Sequence, residues 1–350
     1  MRRLNILYLG SGAGTSRHRA LALERLGHGV TVIDPRGLLP ASRVIDRWIH
    51  HTGGVLLDQL ISKRLPRGLG HATFDLLWID GGALLTAMLV RELRSRCRFA
   101  INLNVDDPFG GRDGRKWRNY LGALDANDLV IVVRKENVDE ALRSGARNAM
   151  FVYRSADEVA HAPRQLTPED HLRWDSKVLF VGTWMPERGP FLARLVQLGV
   201  PLSIFGDRWH KAKEWRELCA RWRGPGIYND DEYAKAVQCA GVCLGLLSKG
   251  NRDLSTTRSF EIPYLGGVLC AERTVEHLEL YSEGVDAVFW STPEECAAKC
   301  GQLLRDEEWR SALSRNGRAR CVRNRTLNES VLDEILSSVA SSRSAAEVMV

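Results

Sequence analysis

The sequence predicts an α/β protein made of two doubly wound parallel-sheet halves of similar size. Three observations carry that prediction. Short apolar runs end in glycine, proline or charge and are each followed by helix-like sequence. The alternation breaks in a polar, proline-containing stretch and then restarts. A chain of 350 residues also exceeds what one hydrophobic core usually serves.

Leu4 to Leu9 reads as the first buried strand, entering the loop Gly10-Ser11-Gly12-Ala13-Gly14-Thr15. Ser16 is placed to cap the helix that follows, with Ala20, Leu21, Leu23 and Leu26 as its apolar stripe. Gly27-His28-Gly29 stops that helix, His28 reading as structural, and Val30 to Ile33 forms a second strand closing at Asp34. Phe74 to Ile79, Phe99 to Val105 and Leu129 to Val133 repeat the theme. The polar stretch Ala160 to Asp175 puts the domain boundary near residue 165. Lys177 to Val181, Pro201 to Phe205, Val242 to Leu247 and Val268 to Cys270 then supply strands for the second half. Two such halves leave a cleft at the C-terminal ends of their strands, where ligands bind in open α/β sheets.

Composition narrows the class. With 44% hydrophobic and 26% charged residues the chain is neither collagen-like, nor a disulfide mini-protein, nor disordered throughout. A net charge of +6 suits an anionic substrate or a membrane surface and is too small to indicate nucleic acid. No stretch is long and charge-free enough to span a bilayer, and Leu4 to Leu9 is too short for a signal segment, so a cytoplasmic location is expected. Among eight cysteines, Cys239 and Cys243, and likewise Cys296 and Cys300, are four apart. That spacing shares a helix face and is not the C-x-x-C of zinc sites, so reduced thiols packed in helices are expected, with no metal.

Several loops carry chemistry. Gly10, Gly12 and Gly14 resemble a dinucleotide fingerprint, but Thr15 stands where its third glycine or alanine belongs. Val181-Gly182-Thr183-Trp184-Met185-Pro186-Glu187-Arg188-Gly189 places a cation and free backbone N–H groups at a strand's end, which suits a phosphate. In Lys249 to Glu261, the hydroxyls of Ser255, Thr256 and Thr257 can cap a helix, Arg252 and Arg258 add charge, and Glu261 can accept from sugar hydroxyls. Asp106 and Asp107 close a strand, suited to acceptor contact, to a base role or to capping a turn. His18 lies on the first cleft-side loop, and Asp230-Asp231 is placed to cap the helix through Ala240.

These segments resemble the GT-B glycosyltransferases, and in particular the spore-protein CgeB-like branch related to retaining family 4. The resemblance runs over Leu23 to Val32, Val181 to Gly189, Phe205-Gly206-Asp207, Gly226-Ile227-Tyr228-Asn229, Arg258 to Ile262 with Gly266-Gly267, and Glu283 to Trp290. It implies two Rossmann-like domains, 1–165 on the acceptor side and 166–335 holding the donor, and 336–350 reads as a disordered tail. It implies transfer from a nucleoside-diphosphate sugar to a glycan or small-molecule hydroxyl, retaining and without a metal or a permanently bound cofactor.

Residue by residue, the resemblance puts Glu261 on the donor ribose and Asp253, where relatives more often have Glu, on the donor sugar. Arg188 resembles the diphosphate-binding lysine, with Gly182, Gly206 and Asp207 at the same strand ends and Tyr228 and Asn229 by the nucleobase. The usual partner arginine falls at Thr183, so Arg252 or Arg258 replaces it or the donor is held differently. Asp107 or His18 would be the base if the reaction inverted. An epimerase of the same fold, or a catalytically silent nucleotide-binding protein, is the rival expectation. The region 43–67 interleaves arginine and lysine with Trp48 and aliphatics. It suits either peripheral contact with an anionic membrane or a helix pair packed on the sheet with a basic outer face.

Overall fold

The computed structural model of the chain describes residues 2–348, with side chains through residue 340. The chain forms two compact units. The first runs to Tyr153 and takes in Gly250–Arg252 and the chain from Asn328; the second comprises Arg154–Lys249 and Asp253–Leu327. The division falls between Tyr153 and Arg154 rather than near residue 165.

The first unit holds six strands, β1 (Asn5–Leu9), β2 (Gly29–Ile33), β3 (Phe74–Asp80), β4 (Cys97–Asn104), β5 (Leu129–Val132) and β6 (Ala149–Phe151), in the order β2-β1-β3-β4-β5-β6. Every pairing is parallel, with Ile6 opposite Val30 on one side and Leu76 on the other. Side chains alternate between faces, so both faces of a parallel sheet need cover. Ile6, Tyr8, Leu76 and Trp78 join one core with Ala20 and Leu23, and with Val331, Leu332 and Ile335 of the last helix. Leu7, Leu9, Leu77 and Ile79 join the other core with Ile61, Leu65, Leu89 and Leu93. That last helix, Asn328–Val348, belongs to the first unit, and the residues expected to form a tail are helical as far as Val348.

The second unit holds β7 (Ser176–Val181), β8 (Leu202–Phe205), β9 (Trp222–Gly224), β10 (Ala240–Gly245), β11 (Leu269–Glu272) and β12 (Val288–Trp290), again all parallel, in the order β12-β11-β10-β7-β8-β9. Its core packs Val178, Phe180, Ile204 and Leu244 against Leu192 and Leu195 of the helix Arg188–Gln197.

Several local expectations are corrected. The helix Gly14–Arg25 starts after Ala13 without a side-chain cap, so Ser16 falls inside its first turn with its hydroxyl 3.2 Å from that of Tyr8. Asn229, not Asp230 or Asp231, caps the helix Asp230–Gln238, accepting from Glu232 N–H at 3.0 Å. The polar stretch after residue 160 contains a helix, Pro168–Trp174, closed by a reciprocal capping box between Thr167 and Asp170. Cys239 ends a helix and Cys243 sits on β10, so that pair does not share a helix face.

Candidate functional site

In the second sheet the strand order reverses between β7 and β10, a topological switch point where open α/β sheets bind ligands. Gly182 follows β7, and its N–H bonds the Phe205 carbonyl at 2.9 Å. Gly206 follows β8 so closely against the Gly182 carbonyl that a Cβ there would collide with backbone. Only glycine fits, which explains its place in the strand-end pattern. Arg188 opens the next helix and is 9% exposed. Its guanidinium donates to the carbonyls of Thr183 at 2.9 Å, Leu246 at 3.2 Å and Leu247 at 3.3 Å, so it spans both sides of the switch point. A cavity of about 210 Å³ opens beside it, lined by Glu187, Phe191, Lys249, Glu272 and Trp290 among others. Trp184 Nε1 and Thr256 Oγ1 are buried with no hydrogen-bond partner among the described residues.

The acid singled out in the sequence lies in a built cluster. Glu261 is 2% exposed, within the helix Arg258–Tyr264. Arg258 donates to its carboxylate, the Tyr233 hydroxyl donates at 3.2 Å, and His161 Nε2 lies 3.5 Å away. Arg258 also lies over the Tyr233 ring, 4.3 Å from its centroid, and donates to the Val181 carbonyl at 3.3 Å. Burial alone would push the Glu261 carboxyl up; the Arg258 guanidinium, His161 and the Tyr233 hydrogen bond more than offset it and hold the group below its ordinary range. Glu261 is thus an ionised acceptor fixed at a strand-end helix. Tyr233 and His161 escaped the sequence reading, because neither stands in a recognisable pattern.

Asp253 is buried in an ion pair with Arg154 at 2.9 Å, and Arg154 also donates to the Ser255 carbonyl at 2.7 Å. The Ser255 hydroxyl donates to Glu276 at 2.7 Å, and Thr256 N–H donates to the Ser259 hydroxyl at 3.1 Å. No side chain of Ser255, Thr256 or Thr257 caps the helix, because Thr257 is already in helical conformation. Asp207 accepts from Gly226 N–H at 3.3 Å and from the hydroxyl of Tyr228, whose ring is exposed.

Below that helix, His277 is fully buried and stacked on Phe289. Its Nδ1 lies 2.6 Å from the Glu272 carbonyl and its Nε2 2.8 Å from the Ser259 hydroxyl. A carbonyl only accepts, so Nδ1 carries the proton and Nε2 accepts from Ser259. Burial lowers the His277 pKa. The unfolded chain takes up this proton near about 6.5 while the folded one resists it, so stability falls as pH drops below that value. Urea midpoints are expected to fall between about pH 7.5 and 5.5, and His277→Leu to reduce the fall. An unchanged slope in the variant would remove His277 as its source.

In the first unit the sequence-predicted residues divide. Asp107 is fully buried: both its oxygens accept from Arg252 at 2.6 and 2.8 Å, and one also accepts from Asn137 and from the N–H groups of Phe109 and Gly110. Glu140 holds the other face of Arg252 at 2.9 Å. Burial raises the Asp107 pKa, but the Arg252 contacts outweigh it and lower the group overall. Arg252 therefore belongs to this first-unit network. Asp106 lies 3.4 Å from Lys116. Gly12 and Gly14 are exposed and Thr15 half-buried at the start of the helix that buries His18. The tight glycine is Gly10, where a Cβ would meet Ser16 Oγ at 2.5 Å. Beside it a second cavity of about 210 Å³ is lined by Asp34, Arg36, Asp80, Gly82 and Trp117 among others, at the β1/β3 reversal of the first sheet.

Residues 188–337 match the model of the family described as glycosyl transferase-like. No curated protein matches the chain. Sucrose-phosphate synthase from Thermosynechococcus elongatus superposes with a TM-score of 0.72 at 12% identity, covering 98% of this chain and 100% of that one. Anabaena HepE in complex with UDP-glucose gives 0.65 at 14% identity, over 97% of this chain and 100% of that one. The α,α-trehalose 6-phosphate synthase from Burkholderia multivorans gives 0.65 at 14% identity, over 99% and 100%. Two six-stranded parallel sheets, each reversing strand order once, are the two Rossmann-like domains of the GT-B fold. Within that fold, the match to the glycosyl transferase-like family covers residues 188–337, most of the second sheet and the helices around it.

Proposed function

We propose that the protein transfers a glycosyl group from a nucleoside-diphosphate sugar to a hydroxyl acceptor, with the donor held by the second unit. The observation that carries this is the Glu261 cluster: a buried, ionised carboxylate within the matched domain, at the sheet's switch point. Glu261 would accept from the donor ribose. Negative charge grows on the departing diphosphate, so fixed cations and backbone N–H groups at that position supply the main stabilisation. Arg188 and Arg258 fill that role, and donor binding needs no metal. Arg258 stands in for the arginine replaced by Thr183, whereas Arg252 is occupied by Asp107 and Glu140. Asp253, paired with Arg154, would contact the donor sugar, and Tyr228 and Asn229 the base. With both Asp107 oxygens engaged, a retaining course that needs no separate base is favoured. UDP, the nucleotide named in the HepE complexes, is the first probe. Purified protein should be stabilised against heat by millimolar UDP, GDP or ADP and should slowly hydrolyse the matching sugar nucleotide. Neither effect with any of the three would sink the proposal.

The acceptor falls to the first unit, where the cavity beside Gly10 is its site in this reading, with Gly12, Gly14, Thr15 and Asp106 as further candidate contacts. Residues 43–67 form two helices, Arg43–Thr52 and Leu57–Leu69, whose Ile61 and Leu65 enter the core. Val44, Trp48, Leu56 and Leu60 are exposed, interleaved with exposed Arg43, Arg47, Lys63 and Arg64. Among the described residues no helix is long and apolar enough to cross a membrane. An apolar stripe with a cationic border suits peripheral attachment to the anionic inner face of a membrane. Co-sedimentation with anionic vesicles should drop several-fold in Arg47→Glu/Trp48→Ala, and equal recovery on neutral and anionic vesicles would reject the contact.

A further inference from the structure

Cys270 lies on β11, paired in register with Leu244 on one side and Val288 on the other. Cys296 and Cys300 lie one turn apart on the helix Pro293–Arg305. The three sulfurs all lie within 4.8 Å of one another, and all three residues are fully buried. The surrounding core is apolar, including Val242, Leu244, Val288 and Leu303. We propose that Cys270, Cys296 and Cys300 form a three-sulfur site for a trivalent thiophilic metalloid, arsenic(III). The inference is independent of the donor reading.

The choice of ligand follows from coordination number and charge. Soft sulfur donors select thiophilic ions. Structural zinc needs four ligands, and no fourth histidine, cysteine or carboxylate joins the group among the described residues. Three thiolates around Zn²⁺ would also leave one negative charge in an apolar core, and around Cu⁺ two. Buried net charge is strongly disfavoured without a partner. The charges that act on these thiols come from one another and from Glu295, with no cation among them. Arsenic(III) with three thiolates is neutral and pyramidal, its lone pair taking the place of a fourth ligand.

The uptake step balances. Arsenous acid exchanges its three hydroxyls for three cysteine sulfurs, each thiol proton leaves in a water molecule, and no oxidation state changes. Because all three sulfurs are shielded, entry requires local opening of the helix Pro293–Arg305. Once bound, arsenic fastens that helix to β11 and stabilises the folded unit by mass action.

The test uses the full chain reduced with a phosphine, incubated with arsenite and desalted. One arsenic per chain should remain, with three As–S contacts by X-ray absorption, and titration after unfolding under non-exchanging conditions should find five of the eight thiols free. Melting temperature should rise. Cys300→Ala and Cys270→Ala, small apolar replacements, should abolish retention, while Cys219→Ala and Cys239→Ala should keep it. Absence of retained arsenic in the wild type, two-sulfur coordination, or retention by Cys300→Ala would each overturn the site. Retention of one zinc per chain against a chelator, with arsenite excluded, would overturn the trivalent assignment. The wild-type stoichiometry and coordination number decide the matter even if a variant fails to fold.

Discussion

Glu261→Ala is expected to weaken UDP binding on the order of 10- to 100-fold, the usual worth of a hydrogen bond to a charged group. The carboxylate is buried and ionised, and it is held by Arg258, Tyr233 and His161 at fixed positions. A ribose that donates to it meets an acceptor that needs no reorganisation. The substitution also leaves Arg258 without its carboxylate, so the variant should lose some stability as well. Glu261→Gln separates the two effects: it keeps the shape of the cluster and one acceptor oxygen, and should bind with intermediate affinity. Calorimetric titration with UDP, alongside melting curves, checks both. Wild-type affinity in a folded Glu261→Ala would show that the ribose contact is absent.

Asp80→Ala should destabilise the first unit by about 3–5 kcal/mol, the cost of stranding a buried charge. Arg19 and Asp80 have side chains 9% and 7% exposed and meet through two hydrogen bonds, 2.7 and 3.0 Å. The Tyr8 hydroxyl donates to the same carboxylate. Burial, then the Asp80 charge, pushes the Tyr8 pKa up, so the hydroxyl stays protonated and donates. Removing the carboxylate leaves the guanidinium without its acid in a core, while the phenol keeps only the Ser16 carbonyl at 2.9 Å and the Ser16 hydroxyl at 3.2 Å. Replacing both partners by apolar groups, in Arg19→Met/Asp80→Leu, should recover most of the loss, since such pairs contribute little net stability. Urea denaturation of the three proteins tests this. A single-variant loss below about 1 kcal/mol would mean that water reaches the pair.

Central strands were legible because they are buried on both faces, so their apolar runs are continuous and end abruptly at glycine or charge. The three strands without a sequence signal, β6, β9 and β12, are each three residues long and lie at sheet edges. A three-residue strand shows no period to read. The capping box at Thr167 was visible in principle, but a proline-containing polar stretch reads first as a linker.

The sequence by itself determined the two-sheet α/β architecture and the strand-end glycines, because each depends on residues close together in the chain. Tertiary structure alone decided the partners. It brought Arg252 to Asp107, Arg154 to Asp253, and His161 and Tyr233 to Glu261. It also closed Cys270 onto Cys296 and Cys300, where spacing along the chain had argued against any ligand set. Buried polar and sulfur groups find partners through the packing of distant elements, and local pattern carries no record of that distance.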